Sequence, residues 1–337
     1  MDSAPDRPLV ERPLVAVVGG ATLLAREIRD LLTEVKPSPR VQLISAAADG
    51  STILAAEDDE AVVMIPLNKQ SLDGVSVAFL AASPAASRRV AKLQSVGSPV
   101  LIDLTGALEE QPHARLRAPS AEPSGRLVSA PVHVIAHPAA IAIAMLLARL
   151  VQESPLRRSV IHVFEPASER GQGGLDELQQ QTVAVLSFKK LKTDVFDAQL
   201  GFNLLARYGE EALEPLEGIE QRVERHLASL LAAWPGVPMP SLRVIQAPVF
   251  HGHSFSVWAE FESNPDVAAL SRELAKQGVD VRPDDPPTNA AIAGNSGIAV
   301  GAIAADRNNS RACWLWMVAD NLRLTAENSI AVAQEVL

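Results

Sequence analysis

The chain has little of what covalent or metal-based chemistry draws on. Of 337 residues only Cys313 carries a thiol, so neither an intramolecular disulfide nor a cysteine cage for a metal can form. Aromatic residues make up 4%, with a single tyrosine, Tyr208, and they are not interleaved with basic clusters. The formal charge of -10 repels phosphate backbones and anionic lipid surfaces, so neither nucleic acid nor membrane is an expected partner. The longest apolar run, Ile135 to Leu150, contains His137 and Pro138 and is shorter than the roughly 20 residues needed to cross a bilayer. It reads as a loop entering a buried helix. The first six residues, Met1 to Asp6, contain no basic segment before an apolar one, which makes the cytoplasm the expected compartment.

What is present is a chain of 47% hydrophobic residues, long enough for two domains. The run Pro13 to Val18 is apolar and mostly β-branched, and Gly19-Gly20 and a helical pattern from Leu23 to Leu32 follow at once. Strands are expected next at Val41–Ser45, Ala61–Pro66, Val75–Ala81 and Val100–Leu104, with a helix from Ser83 to Val96. Apolar strands alternating with helices predict a parallel sheet covered on both faces. A helix at Ala139–Gln152 opens a second region. Its strands, Ser159–Pro166, Leu242–Val249, Ser254–Glu262, Ile298–Ala304 and Cys313–Ala319, alternate apolar and polar side chains and suit a mixed or antiparallel sheet with one open face. Helices are expected at Gly174–Leu186, Gly218–Ala233 and Leu324–Leu337. The predicted fold is α/β, with a Rossmann-like parallel-sheet domain over residues 1–135, an α+β domain over 136–320, and a last helix, 321–337, returning to the first domain.

The early strand-turn-helix is where a dinucleotide pyrophosphate would rest on free N–H groups. Gly19, Gly20 and Ala21 suit that turn, whereas Thr22 puts a β-branched side chain where a phosphate approaches closest. A tight turn with no cofactor is an equally good reading of the motif. His133, His137, His162, His226 and His251 form no His-x-x-x-His pair, and no metal is expected. Glu57 to Glu60 reads as a solvated loop. Ser168 lacks the Gly-x-Ser-x-Gly elbow of a serine hydrolase.

Five segments, in order, resemble the aspartate-semialdehyde dehydrogenase family. Gly19 to Glu27 resembles its Gly-Ala-Thr-Gly-Ala-Val-Gly-Arg-Glu, and Asp103-Leu104-Thr105-Gly106-Ala107-Leu108 its Asp-Asn-Thr-Ser-Ala-Phe. Ser168 to Thr182 resembles Ser-Gly-Ala-Gly…Gly-Met-Asp-Glu-Leu…Gln-Thr, Pro248 to Ser254 resembles Val-Pro-Val…Gly-His-Ser, and Trp316 to Arg323 resembles Trp-Val-Val-Ser-Asp-Asn-Leu-Arg. Gln246 to Phe250 and Phe202 to Leu205 resemble particularly the Usg-type branch of paralogues.

The resemblance implies reductive dephosphorylation of an acyl phosphate through a cysteine thioester, with hydride from a nicotinamide cofactor, by a homodimer of amino-acid biosynthesis. It also shows what this chain has lost. The family's Asn-Pro-Asn-Cys aligns with His137-Pro138-Ala139-Ala140, so Ala140 stands at the nucleophile position, and neither Ala nor Ser combines the nucleophilicity and leaving ability of a thiolate. Cys313, on a late apolar strand, reads as a small core residue. His253 matches the acid/base histidine. Gln246 replaces the arginine that grips the substrate carboxylate, Glu109 replaces the phosphate-binding arginine, and Glu165 replaces a glutamine. The loop Ser45 to Gly50, which in the family brings an arginine to the NADP ribose phosphate, contains no cation. A Cys→Ala replacement could account for Ala140 alone, but not for the other three. The expectation is a non-catalytic or redirected homologue, in effect a pseudoenzyme. It would bind NAD(P) weakly or not at all through Gly19, Gly20, Ala21, Thr22 and Asn321, take a nucleotide or small metabolite, and dimerise through its Trp-rich strand. An NAD(P)-dependent oxidoreductase using His253 without a covalent intermediate is the alternative, and a pure interaction scaffold a third.

Overall fold

The computed structural model describes residues 12–47, 53–57, 60–125 and 128–337. Two sheets share one continuous core. The first has eight strands: β1 (Leu14–Val18), β2 (Arg40–Ser45), β3 (Ile53–Glu57), β4 (Glu60–Pro66), β5 (Val77–Leu80), β6 (Val100–Asp103), β7 (Ala114–Arg117) and β8 (Val132–Ile135). Their order is β3-β4-β2-β1-β5-β6-β8-β7, parallel throughout except for β3, which forms a hairpin with β4. The central strands β1 and β5 are buried on both faces, which explains their unbroken apolar sequences. Helices α1 (Leu23–Glu34) and α2 (Pro84–Lys92) cross between strands.

Helix α3 (Pro138–Glu153) leads into the second sheet and is buried nearly all round, with Ala139 to Ala144 inaccessible. Pro138 sits in its first turn, where its missing N–H costs nothing. The second sheet is mixed, in the order β10-β9-β11-β14-β13-β12. It comprises β9 (Leu156–Glu165), β10 (Ser241–Gln246), β11 (His253–Phe261), β12 (Asp280–Arg282), β13 (Ala299–Ala305) and β14 (Ala312–Ala319). Val257 and Leu315 face the core, whereas Val160 and Trp314, on the opposite face, are 36% and 41% exposed. Helices α4 (Gly171–Leu186), α5 (Leu216–Leu231), α6 (Val267–Lys276) and the short α7 (Asn289–Ile292) flank this sheet, and α8 (Asn321–Val336) ends the chain.

Helix α8 packs on α1, where Arg323 Nη1 lies 3.1 Å from Glu27 Oε1. At its far end Glu335 accepts two bonds, at 2.8 and 2.9 Å, from Arg117, a guanidinium only 1% exposed that also pairs with Glu122.

The alternation of strands and helices appears as expected, with corrections at the edges. Helix α2 ends at Lys92, short of Val96. Ile135 closes a strand, β8, and does not lie in a loop. Glu57 and Glu60 pair across the hairpin of β3 and β4, while Asp58 and Asp59 lie outside the described residues. Helix α6 was not expected, although Asp266 caps it and Val267, Leu270 and Leu274 follow at helical spacing.

Candidate active site

The site gathers where the N-terminus of α3 meets the ends of β9, β10, β11 and α8. His137 is the N-cap of α3, and its Nδ1 accepts from the Ala139 N–H at 3.2 Å, which leaves the ring hydrogen on Nε2. The His137 N–H donates to His226 Nδ1 at 2.9 Å, so a side chain from α5 secures the same turn. Ala140 lies one residue further on and is fully buried.

His253, the first residue of β11, lies ring to ring with His137 at 5.8 Å. It is 1% exposed and neither ring nitrogen has a hydrogen-bond partner. Burial pushes its pKa down to about 4, and burial reinforced by the positive charge of Arg222 holds His137 well below its ordinary value. Both rings are neutral near pH 7. His137, His226 and His253 converge around one helix end. Among the described residues no group of three His, Cys, Asp or Glu side chains is placed to hold a metal.

Gln246 stands beside Glu165 in the parallel β9–β10 register. Its amide donates to the carbonyls of Glu165 (2.8 Å) and Ala247 (3.1 Å), and its oxygen accepts from the Tyr208 hydroxyl at 2.6 Å. That amide is committed to the backbone. Glu165 Oε1 accepts from Arg170 at 3.0 Å, while Oε2 is buried without a partner. Burial raises the Glu165 pKa despite Arg170, which in turn reaches Glu214 at 2.8 Å. Glu169, on the turn between β9 and α4, receives the Asn321 Nδ2–H at 2.7 Å and lies 3.6 Å from His137 Nε2. Burial raises its pKa as well.

Glu109 does not stand as a bare negative charge. His226 Nε2 is 3.0 Å away, though off the ring N–H direction, and Arg225 is 3.7 Å away. Burial alone would raise the Glu109 pKa, but contact with His226 and the charges of Arg222 and Arg225 outweigh it and lower it. A small cavity of about 110 Å³ opens beside Glu109, Arg225 and His226.

At the other end of the cleft, Gly19 adopts φ +90°, and a Cβ there would lie 2.5 Å from Ala82 Cβ. Thr22 does not obstruct this turn: it is the N-cap of α1. Its hydroxyl accepts from the Ala25 N–H (3.2 Å) and donates to the Ala81 carbonyl (2.9 Å), so it folds down onto the protein. Gly20 is buried and Ala21 exposed. The loop after β2 lacks its own cation, but Arg89 of α2 donates to the Ala46 carbonyl there. Ala48, Asp49 and Gly50 lie outside the described residues.

Residues 147–324 match the family model described as semialdehyde dehydrogenase, dimerisation domain. The chain belongs to the semialdehyde dehydrogenase family. It is 32% identical over 344 residues to the USG-1 protein homolog of Pseudomonas aeruginosa, covering 97% of this chain and 98% of that one. It is 27% identical to the aspartate-semialdehyde dehydrogenase of Rickettsia bellii, over 96% of this chain and 97% of the relative. The structure of a probable aspartate-semialdehyde dehydrogenase from Pseudomonas aeruginosa superposes with a TM-score of 0.82 at 27% identity, covering 96% and 98% of the two chains. An aspartate semialdehyde dehydrogenase from Candida albicans, solved with NADP, shares the fold at a TM-score of 0.65 and 14% identity, over 96% and 98%.

Glu169, Arg170, Tyr208, Arg222 and His226 were not singled out from the sequence as site residues. The signal for the first two was there, since Glu169-Arg170 falls where the family motif reads Gly-Ala. Arg222 and His226 are four residues apart on α5, so one helical face brings both to the site.

Proposed function

We propose that this chain is a semialdehyde dehydrogenase homologue that no longer performs the thioester reaction and serves as a non-catalytic or redirected member of the family. One observation carries the reading. At the helix turn beside His253, in this reading the nucleophile's place, the side chain is the methyl of Ala140. Cys313 offers no substitute. Burial pushes its thiol up to about 12, and it lies six residues along β14 from Ala319, the residue paired with His253, or roughly 20 Å. The rest of the set supports the same conclusion. Gln246 is bound to backbone carbonyls and Tyr208, and one oxygen of Glu165 to Arg170, so the Gln246 amide and that oxygen are already engaged within the protein.

The test is turnover of aspartate semialdehyde with phosphate and NADP by the purified protein, alongside Ala140→Cys. Neither is expected to exceed the uncatalysed rate, because the restored thiol would still lack the cationic carboxylate grip. Turnover by the unaltered protein would overturn the reading.

A dinucleotide would lie across the ends of the first sheet, with its pyrophosphate at Gly19, Gly20 and Ala21. The turn fits, since Thr22 is folded away and the first N–H groups of α1 have no carbonyl within the helix to reach. The redox end fits poorly, because the Asn321 amide is already engaged by Glu169 and by the Gly252 N–H. We assign the open face of the second sheet, with Val160, Trp258, Trp314 and Trp316, to a homodimer contact. A monomer by light scattering at micromolar concentration would refute that assignment.

A further inference from the structure

We propose that Glu169 is a specificity-determining residue which occupies, with its own carboxyl group, the place of a ligand's carboxamide or carboxylate and so closes the site to a dinucleotide's redox end. The inference rests on the reading that the cleft descends from a dinucleotide site.

Asn321 begins α8 and presents one acceptor and one two-proton donor, the complement of a carboxamide. Both ends are in use. Its Oδ1 accepts from the Gly252 N–H at 3.0 Å, and its Nδ2 donates to Glu169 Oε1 at 2.7 Å and to Ser168 Oγ at 3.1 Å. The other oxygen of Glu169 faces His137 Nε2 at 3.6 Å. A tethered carboxyl thus takes up the Asn321 amide donor and stands against the His137 ring edge without a hydrogen bond to it, where a free ligand would need that same amide.

The arrangement has a cost that a merely structural role would not call for. Arg170 is the neighbouring cation, but its guanidinium is directed at Glu165 and Glu214, leaving Glu169 without a charged hydrogen-bond partner. Glu169 is nevertheless largely buried, with a side chain 14% exposed. The turn that delivers it is short, Ala167–Arg170, and is pinned at both ends. The Ala167 N–H donates to the Val249 carbonyl at 2.8 Å, and Gly174 lets α4 begin close by, since a Cβ there would meet the Ala167 carbonyl at 2.3 Å. The chain cannot swing Glu169 out without loosening this packing. At the opposite end, the turn at Gly19 keeps its shape, so closure is confined to one half of the cleft.

The experiment is a calorimetric titration of NADP and NAD into the unaltered full chain, Glu169→Gly and Glu169→Gln, with the melting temperature of each as a folding control. The glutamine keeps the volume and an acceptor for Asn321, whereas the glycine removes both. The expected result is no saturable binding up to millimolar dinucleotide for the unaltered chain and for Glu169→Gln, and at least a tenfold gain in affinity for Glu169→Gly. Equal affinity in all three would overturn the proposal, and so would the absence of binding in all three. Turnover by the unaltered chain would instead overturn the functional reading on which it rests, a distinct result read in a separate assay.

Discussion

The turn at the end of β1 and the polar cluster at the ends of β9 to β11 are built in different ways. The first is made of backbone: Gly19 at φ +90°, a helix N-terminus, and a threonine that caps it. The second is made of side chains, several of which pair with one another: Gln246 with Tyr208, Glu165 with Arg170, and Asn321 with Glu169. Backbone geometry is held in place by the packing of β1 against β5 and α1, so it persists whether or not a ligand comes. Side-chain chemistry has no such support. A buried polar group there either has a local partner or carries the cost of burial, as both ring nitrogens of His253 do.

The contrast can be broken most forcefully in the polar half. Replacing Arg170 with Ala strips a charge partner from buried Glu165 and from Glu214, and should cost about 3–5 kcal/mol in urea unfolding. A loss below 1 kcal/mol would mean that the cluster is not the self-paired unit described above. Next is acid sensitivity. His253 is held near pKa 4 in the folded protein against 6.5 in the unfolded chain, so the unfolded state binds more protons between those values. Stability is therefore lost as pH falls from 6.5 to 4, by about 3 kcal/mol for this ring alone. Glu165 and Glu169, raised by burial, work oppositely above pH 4.5, where rising pH removes their contribution. Substituting His253 with Gln should flatten the acid limb of a stability–pH curve, and an unchanged limb would assign the effect elsewhere.

Effects in the backbone half are smaller and concern stability alone. Gly19→Ala forces an L-residue to φ +90° against Ala82 and should cost about 2 kcal/mol. Thr22→Ala removes a cap and should cost about 1 kcal/mol, seen as a lower midpoint of thermal unfolding. If Thr22→Ala were instead neutral, the cap would not be what anchors α1.

The division also explains what could be read from the amino acids. Strands such as Val15–Val18 and helices such as α3 were legible because burial imposes its period on the sequence. Of the strands that escaped notice, Ile53–Glu57, Ala114–Arg117 and Asp280–Arg282 lie at sheet edges and are too short to show a period, and Val132–Ile135, inside the sheet, has only four residues. In the site, Ala140, Glu165, Gln246 and His253 were found by their alignment to a motif. Glu169 and His226 were missed because their importance depends on partners distant in sequence: Asn321, 152 residues away, and the His137 backbone, 89 residues away. The arginine of α5 beside Glu109 and the cap of Thr22 on Ala25 were not foreseen, since neither is visible from local residue types.

The clasp between Arg117 and Glu335 has a consequence for how the protein is made. All eight strands of the first sheet lie before Ala136, yet Glu335, on the helix that covers α1 and pairs with the buried Arg117 guanidinium, lies 218 residues along the chain from Arg117. During synthesis the first half waits with an apolar face uncovered, and with Arg117 paired to Glu122 alone, until this helix has emerged. Closure of the first domain thus depends on α8, and a chain halted before Asn321 would leave that face of α1 bare however well its second sheet had formed.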